Sequence, residues 1–155
     1  MKTIAQQIKW DFEANGDLEI RDKNGKRIYY ELSNGDWKKY EYDSQGNEIY
    51  YKHSNGFWIK REYDSKGNEI YWENSNGFWV KWEYDSKGNI IYVKNSTGYW
   101  SKQEYDSKGN KIYFEDSDGI IIDKRPKPNP ELTLESLAEQ VLKLTEIVNK
   151  LVNKP

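Results

Sequence analysis

The chain has no cysteine and only one histidine, His53, among its 155 residues. The lack of cysteine excludes disulfides, thiol chemistry and thiolate metal ligands. His53 stands in one copy of a repeated segment, at a position that the next two copies fill with Asn74 and Asn95. We therefore interpret His53 as a surface residue beside a turn and not as a catalytic group.

Long apolar stretches and a strong excess of either charge are also missing. No apolar run approaches the roughly 20 residues that span a membrane, and residues 1–10 lack the apolar core of a signal peptide. Lys and Arg total 24 and Asp and Glu total 26, which gives a net charge of −2. Because nucleic-acid binding in general needs a clear basic excess, we expect no nucleic-acid partner, no membrane partner and a cytoplasmic location.

Aromatic residues are abundant although hydrophobic residues as a whole are scarce. Hydrophobic residues make up 35% of the chain, below the usual range of roughly 45–50%. Aromatic residues make up 15%, with 7 tryptophans and 13 tyrosines. This composition indicates a thin structure rather than a thick core.

A repeat of 21 residues organises most of the chain. Residues 62–82 read EYDSKGNEIYWENSNGFWVKW. The same pattern recurs at 41–61, 83–103 and 104–124, and a degenerate first copy occupies 20–40. A fixed period of this size is typical of repeat architectures, in which each copy is one small structural unit.

Each copy carries two glycines ten residues apart, such as Gly67 and Gly77. Glycine at a fixed offset supplies the positive φ that a tight turn needs. The residues between the turns are β-branched or aromatic, which favours strands. The pattern predicts a mainly β domain over residues 1–124, with the repeats at 20–124. Its architecture would be an antiparallel meander of about 12 short strands, followed by a C-terminal amphipathic helix.

The segment before the repeats fits two patterns. Ile4 and Ile8 suit a helical turn, whereas Ile8, Trp10 and Phe12 alternate as in a strand. We expect a short helix at residues 3–7 that leads directly into the first strand.

The odd length of the repeat constrains its two loops. If every copy keeps the same face inward, one loop must have an odd number of residues and the other an even number. We predict a three-residue loop at 75–77 and a four-residue loop at 65–68. In this register Lys60 lies opposite Glu73.

The predicted register gives the sheet an apolar face and a second face that we call the aromatic–charged face. On the aromatic–charged face, Tyr71 lies between Glu62 and Lys81. Such rings can stack on sugars or bases or anchor protein interfaces, and the alternative is that they only stabilise a thin sheet. The candidate binding residues of this face are Trp37, Trp58, Trp79, Trp100, Tyr50, Tyr71, Tyr92, Lys60, Lys81 and Lys102.

Prolines separate the repeats from a helical tail. Residues 125–132 are predicted to form a proline-rich linker, because each proline disfavours helix in the residue before it. Residues 133–153 follow as a helix with Thr133 as N-cap and with apolar residues at spacings of three and four. Its heptad pattern favours a parallel homodimer, with packing on the sheet or a larger bundle as alternatives. The predicted oligomerisation residues are Leu134, Leu137, Val141, Leu144, Val148 and Leu151.

The repeated carboxylates do not form a recognisable active site. Asp43, Asp64, Asp85 and Asp106 each begin a turn, where aspartate bonds to its own backbone. A catalytic group is needed once per active site, so a residue copied in every repeat is more simply structural. Residues 64–68 also lack the spacing and the terminal glutamate of a helix–loop–helix calcium loop. We therefore expect no enzyme activity, no catalytic residues, no metal site and no cofactor.

The motif Tyr63-Asp64-x-x-Gly67-Asn68, followed by Gly77 ten residues after Gly67, resembles the YD repeats of the RHS family. In that family the repeats form long antiparallel sheets that spiral into shells around toxins or line surface proteins. The resemblance implies a β meander and no activity. The five copies of this chain are far too few for a shell.

The Ser-Asn-Gly-Phe/Tyr-Trp block of each copy also resembles repeats in small phage and prophage proteins, and this resemblance implies a role against a bacterial host system. Our leading hypothesis is a non-catalytic protein-interaction module that forms a homodimer in the bacterial cytoplasm. It would inhibit a defence system, as an inhibitor of the anti-CRISPR type, by sterically blocking a bacterial protein partner. One alternative is a carbohydrate- or cell-wall-binding repeat protein, since Trp- and Tyr-rich repeats also build choline-binding proteins. The other is a structural or assembly component of a phage particle.

Overall fold

The structure is a computed structural model that describes residues 2–127 and 133–152. The chain divides into two units, Met1–Asp123 and Lys124–Pro155. The helices are α1 (Ile4–Ile8), α2 (Phe12–Asn15) and α3 (Leu134–Val152). The strands are β1 (Leu18–Arg21), β2 (Arg27–Glu31), β3 (Trp37–Tyr42), β4 (Glu48–His53), β5 (Trp58–Tyr63), β6 (Glu69–Asn74), β7 (Trp79–Tyr84), β8 (Ile90–Asn95), β9 (Trp100–Tyr105), β10 (Lys111–Asp116) and β11 (Ile121–Asp123).

The eleven strands found in the described residues form one antiparallel sheet in which every strand pairs with its neighbours in sequence. The sheet is an open meander, and with α3 it makes the chain mainly β with a C-terminal helix, so the predicted fold class is confirmed. The number of strands is 11, against the expected number of about 12.

The missing strand is explained by two helix caps near the N-terminus. The Thr3 side chain accepts the backbone N–H of Gln6, and the Gln6 side chain in turn accepts the N–H of Thr3, which fixes α1. Asp11 then accepts two backbone N–H groups and starts α2. The prediction of a short helix at 3–7 was therefore nearly right. The prediction of a strand through Trp10 was wrong, because these caps stabilise helical turns that a short apolar alternation cannot outweigh.

The two turns of each repeat share one geometry, so the predicted four-residue loop is wrong. The N–H of Asp64 donates to the carbonyl of Asn68 at 2.9 Å, and the N–H of Gly67 donates to the carbonyl of Asp64 at 3.0 Å. The turn at 74–78 makes the same two bonds. Each closes a three-residue loop that ends in a glycine with positive φ, 86° at Gly67 and 80° at Gly77.

The extra residue of the odd period lies in a β-bulge. Where β5 meets β6, Glu62 pairs with Tyr71. The next residue, Tyr63, pairs with Glu69, so Ile70 is skipped. A bulge adds one residue to one strand. This extra residue accounts for the odd length of the repeat, which the predicted four-residue loop was meant to explain. The same register shift skips Ile28, Ile49, Ile91 and Ile112.

The predicted cross-strand pairs are confirmed despite the wrong loop. Lys60 pairs with Glu73. Tyr71 pairs with Glu62 on one side and with Lys81 on the other. The bulge and the longer loop displace the chain by the same single residue, and so they lead to the same register beyond the turn.

The buried core lies at the N-terminal end of the sheet. Ala5, Leu18 and Tyr29 are the buried hydrophobic residues of the described chain. The residues that pack against them are Ile4, Trp10, Phe12, Ile20 and Trp37. In the later repeats most rings are half-buried, so this part is a single layer held by contacts within and between strands.

The second unit contains α3. Its N-cap is Thr133, as predicted: the Thr133 hydroxyl accepts the N–H of Ser136 at 3.2 Å. The predicted helix at 133–153 is observed as Leu134–Val152. Its six predicted seam residues are between 42% and 88% exposed. Asn153 and most of the predicted linker, residues 128–132, lie outside the described residues. No helix of the described segments is long and apolar enough to cross a lipid bilayer.

Candidate protein-binding face

The structure places the candidate residues of the aromatic–charged face together on one side of the sheet. Tyr71 lies opposite Lys81, and Glu73 lies opposite Trp79. Directly opposed residues point to the same face, and side chains alternate along each strand. The remaining candidates follow in the same way from the pairs Tyr29–Lys39, Glu31–Trp37, Tyr50–Lys60, Lys52–Trp58, Tyr92–Lys102 and Lys94–Trp100.

Lysine ammonium groups lie over the rings of this face. The Lys60 Nζ is 5.1 Å from the ring centroid of Trp58. The Lys81 Nζ is 5.5 Å from the ring of Tyr71 and 5.7 Å from that of Trp79. The same contact of Lys102 with Trp100 is 5.5 Å long. Each cation–π contact is worth about 0.5–1 kcal/mol at an exposed site, so the contacts order the rings and the lysines together.

One row across this face alternates in charge. The tyrosines of this face are Tyr29, Tyr50, Tyr71, Tyr92 and Tyr113. The positions two residues after them are occupied in turn by Glu31, Lys52, Glu73, Lys94 and Glu115. Neighbouring copies therefore differ in the sign of this position, and copies two apart are alike.

The first copy of the face is covered by α1. Tyr29 is 7% exposed and Glu31 1% exposed. The ring of Trp37 stacks beside that of Tyr29, with centroids 6.2 Å apart, and packs against the buried core. All four candidate tryptophans are half-buried, but Trp37 packs against the core beneath α1, whereas the three later ones lie on the open face.

The YD motif has a structural role, as Tyr63 and Asp64 show. The Asp64 carboxylate accepts the backbone N–H of Lys66 at 2.8 Å and that of Asn68 at 2.9 Å. The hydrogen bond from the Asn68 side chain, and then that from its backbone, hold the pKa of Asp64 below its ordinary value. The Tyr63 hydroxyl donates to the carbonyl of Glu48 at 3.2 Å on the preceding strand. Burial raises the pKa of Tyr63, so the neutral phenol is favoured as a hydrogen-bond donor.

His53 also acts within a turn. Its Nδ1 accepts the backbone N–H of Asn55 at 3.2 Å. Asn74 does the same in the next copy, where its Oδ1 accepts the N–H of Asn76 at 2.9 Å. The structure thus places His53 in the turn position that the sequence indicated. Among the residues that the structure describes, there is no group of three or more histidines and carboxylates placed to hold a metal ion.

The sequence analysis did not identify Tyr29 and Glu31 as the residues that bind α1 to the sheet. The Glu31 carboxylate accepts the backbone N–H of Ala5 in α1 at 2.9 Å. A signal for this cover was present in the sequence, because Leu18 and Ile20 of β1 stand where the equivalent strands β3, β5, β7 and β9 have lysine and glutamate. Apolar residues at charged positions of a repeat indicate that this copy is covered.

A concave region lies beside α1 on this first copy. Its volume is about 1230 Å³, and Thr3 and Ile4 contribute to one side of it. Trp37 and Lys39 of the sheet also line it. The edge of α1 therefore leaves a recess between α1 and the strands.

Solved structures show the fold of this chain within much larger toxin proteins. The crystal structure of TcdB2-TccC3 matches with a TM-score of 0.52 and 19% identity over 65% of this chain. The structure of the Photorhabdus luminescens Tc holotoxin pore matches with a TM-score of 0.51 and 19% identity, also over 65%. The matches cover 6% and 5% of those chains. No family model matches this chain, and no curated protein does. The likeness shows a shared fold alone, and this fold is the β meander that the YD-like spacing implied.

Proposed function

We propose that the chain is a non-catalytic protein-interaction module whose aromatic–charged face contacts a protein partner. The observation that carries the proposal is the row of half-buried tryptophans, each with a lysine ammonium group over its ring, on copies that no other element of the sheet unit covers. Tryptophan and tyrosine dominate the energetically important positions of protein interfaces. Paired charges around them add selectivity for one partner over another.

The lysines favour a protein partner over a carbohydrate. A sugar ring stacks on the open face of an aromatic side chain. The Lys81 ammonium group lies over the rings of both Trp79 and Tyr71, so a sugar would have to displace it. Glycan-array binding that is lost in Trp79→Ala would support the carbohydrate alternative instead.

The proposed setting is the cytoplasm of a bacterium that carries a phage or another mobile element. The resemblance of the Ser-Asn-Gly-Phe/Tyr-Trp block to phage and prophage repeats supports this setting. The proposed activity is inhibition of a defence system of the anti-CRISPR type, in which the sheet occupies the working surface of a defence protein. No chemical step is needed for this activity, because a rigid sheet can block access to that surface sterically.

The test is a pull-down of defence proteins from bacterial lysate with a matched pair of variants. Trp79→Ala removes a ring from the aromatic–charged face. Trp82→Ala removes a ring from the opposite face. Trp82 follows Lys81 on β7 and pairs with Val93, and successive side chains of a strand point to opposite faces. We expect Trp79→Ala to lose the partner and Trp82→Ala to keep it. Equal recovery with both variants would refute the proposal for this face.

We further propose that α3 forms a parallel homodimer. Its predicted seam is apolar and exposed, with Leu144 at 61% and Val148 at 54%. Leu144→Asp should give a monomer in multi-angle light scattering, because a charge would enter the apolar seam. Asn149→Asp introduces the same residue outside the seam and should leave the dimer intact. Stable higher oligomers of the unaltered chain would favour a phage assembly component, and an unaltered monomer would contradict the dimer.

A further inference from the structure

The first turn of α1 is held by a tyrosine–glutamate pair of the sheet. The backbone N–H of Ala5 donates to Glu31 Oε2 at 2.9 Å. The Tyr29 hydroxyl donates to the same oxygen at 2.8 Å. The first N–H groups of a helix lack partners within the helix and carry partial positive charge. A carboxylate fixed by a tyrosine is therefore a complementary acceptor for them, and here it holds α1 on the sheet.

The same pair recurs on the open part of the aromatic–charged face. Two copies further along, Tyr71 and Glu73 occupy the same two positions on β6 and point to the same face. Four copies along, the Tyr113 hydroxyl donates to Glu115 Oε2 at 2.9 Å. In both copies the tyrosine and the glutamate are half-buried, in contrast to the fully covered first pair. The intervening copies have lysine in place of the glutamate, at Lys52 and Lys94.

The lysines that lie opposite these two glutamates are held by other contacts, whereas the Lys81 ammonium group, which lies over the Tyr71 ring, has to move aside when a helix docks at Tyr71–Glu73. Lys60 pairs with Glu73, and Lys102 pairs with Glu115. Their ammonium groups lie over tryptophan rings of their own strands, 5.1 Å from one centroid and 5.5 Å from the other. The residue opposite Glu31 is instead Leu18 of β1, which α1 covers.

We propose that Tyr71–Glu73 and Tyr113–Glu115 are docking sites for the first turn of a helix from the protein partner, bound as Tyr29–Glu31 binds α1. The inference rests on the proposed function, in that it assigns the partner's contacting element. The fitting helix has no acidic residue in its first turn, as in α1, and a small residue at the position of Ala5. The two sites are four strands apart, about 19 Å at the usual strand spacing, so two helices of one partner can bind at once.

The test uses the full-length chain and a synthetic peptide of residues 2–16 as the helix probe. Nuclear magnetic resonance shift changes on titration should be largest at 71–73 and 113–115. The copies with Lys52 and Lys94 should change little. The first copy, already occupied by α1, serves as an internal control.

Matched variants exchange the two kinds of copy. Glu73→Lys should weaken peptide binding at its own copy by about tenfold or more, since a hydrogen bond to a charged group is lost. The fold should tolerate this change because two copies already carry lysine there. Lys94→Glu should create a new binding copy between the other two.

Two outcomes would overturn the inference. One is the absence of saturable shift changes at both copies with millimolar peptide, and the other is peptide binding that Glu73→Lys leaves unaltered. The proposed function has its own separate test. A partner that is lost with Trp79→Ala but kept with Glu73→Lys would support the interaction face while refuting helix docking at Glu73. A partner that is kept with Trp79→Ala would refute the interaction face itself.

Discussion

The first copy of the repeat and the internal copies share one strand geometry, but they differ in what lies on the aromatic–charged face. In the first copy α1 covers Tyr29 and Glu31, and both are buried. In the third copy the equivalent Tyr71 and Glu73 are half-buried on an open surface. The backbone and the turns are alike, so the difference comes from side chains at a few positions.

Those positions lie on the first strand. Leu18 is 4% exposed and occupies the position of Lys60, which faces solvent in its own copy. Leu18 stands in place of a lysine, and Ile20 stands in place of a glutamate. These two changes make this end of the sheet apolar enough to be buried beneath α1. Terminal copies of repeat proteins generally need such a cap, because they lack a neighbour on one side. The comparison shows how one repeat sequence can provide either core or binding surface.

The sharpest test of this difference is the same substitution made in both places. Glu31→Lys should lower the free energy of unfolding by about 2–4 kcal/mol, because it removes the buried acceptor of Ala5 and Tyr29 and places an ammonium group beneath α1. Glu73→Lys, its control, should cost less than about 0.5 kcal/mol, as for most surface changes. Urea unfolding of both variants measures the contrast. Equal losses of unfolding free energy in the two variants would show that covering Glu31 with α1 adds no stability.

A second pair of variants separates a structural ring from a binding ring. Trp37→Ala should cost about 2 kcal/mol, roughly half the loss for a fully buried tryptophan, because its ring packs against Tyr29 and the α1 core. Trp79→Ala should cost about 1 kcal/mol in the same urea assay and should show its main effect on partner binding. A larger stability loss at Trp79 than at Trp37 would reverse the assignment of core and surface.

Much of the sheet could be predicted from the sequence, because the 21-residue period fixes the register of every copy once it is known for one. The pairing of Lys60 with Glu73 followed from parity together with the predicted loop lengths. Parity could not decide where the extra residue lies, since a longer loop and a bulge at Ile70 displace the chain equally. Hydrogen bonds decide it: the turn that begins at Asp64 closes after three residues, as the turn at Asn74 does.

The cover of the first copy could not be predicted from local pattern. Ile8, Trp10 and Phe12 fit a strand as well as a helix, and the choice depends on two caps and on the contact of α1 with the sheet. The site on Glu31 is formed by residues far apart in sequence, so no motif contains it. Only a comparison of the strands, with Leu18 at a lysine position, could have indicated that end of the sheet.

Alkaline pH should destabilise the first copy, which α1 covers, through ionisation of Tyr29. Burial, and then the hydrogen bond to Glu31, raise the pKa of Tyr29 from 10.0 to about 12. The folded state favours the neutral phenol, so its contribution to stability is complete below pH 10 and is lost as the pH rises towards 12. We expect the urea midpoint of the unaltered chain to fall more steeply over this range than that of Tyr29→Phe. The two proteins share every other tyrosine, so identical slopes would contradict a role for Tyr29.

Acid should destabilise the internal copies of the repeat. It should do so through the turns that begin with aspartate and not through those that begin with asparagine. The side-chain hydrogen bond from the following asparagine lowers the pKa of Asp64 and of Asp85 below 3.8. The folded state thus favours the carboxylate, whose contribution is complete above about pH 4 and is lost as the pH falls through the lowered pKa. The turns that begin at Asn74 and Asn95 have no group that titrates there. Asp64→Asn combined with Asp85→Asn should therefore flatten the fall of the urea midpoint between about pH 4 and pH 2. An unaltered slope in the double variant would mean that the acid sensitivity of the sheet arises outside these turns.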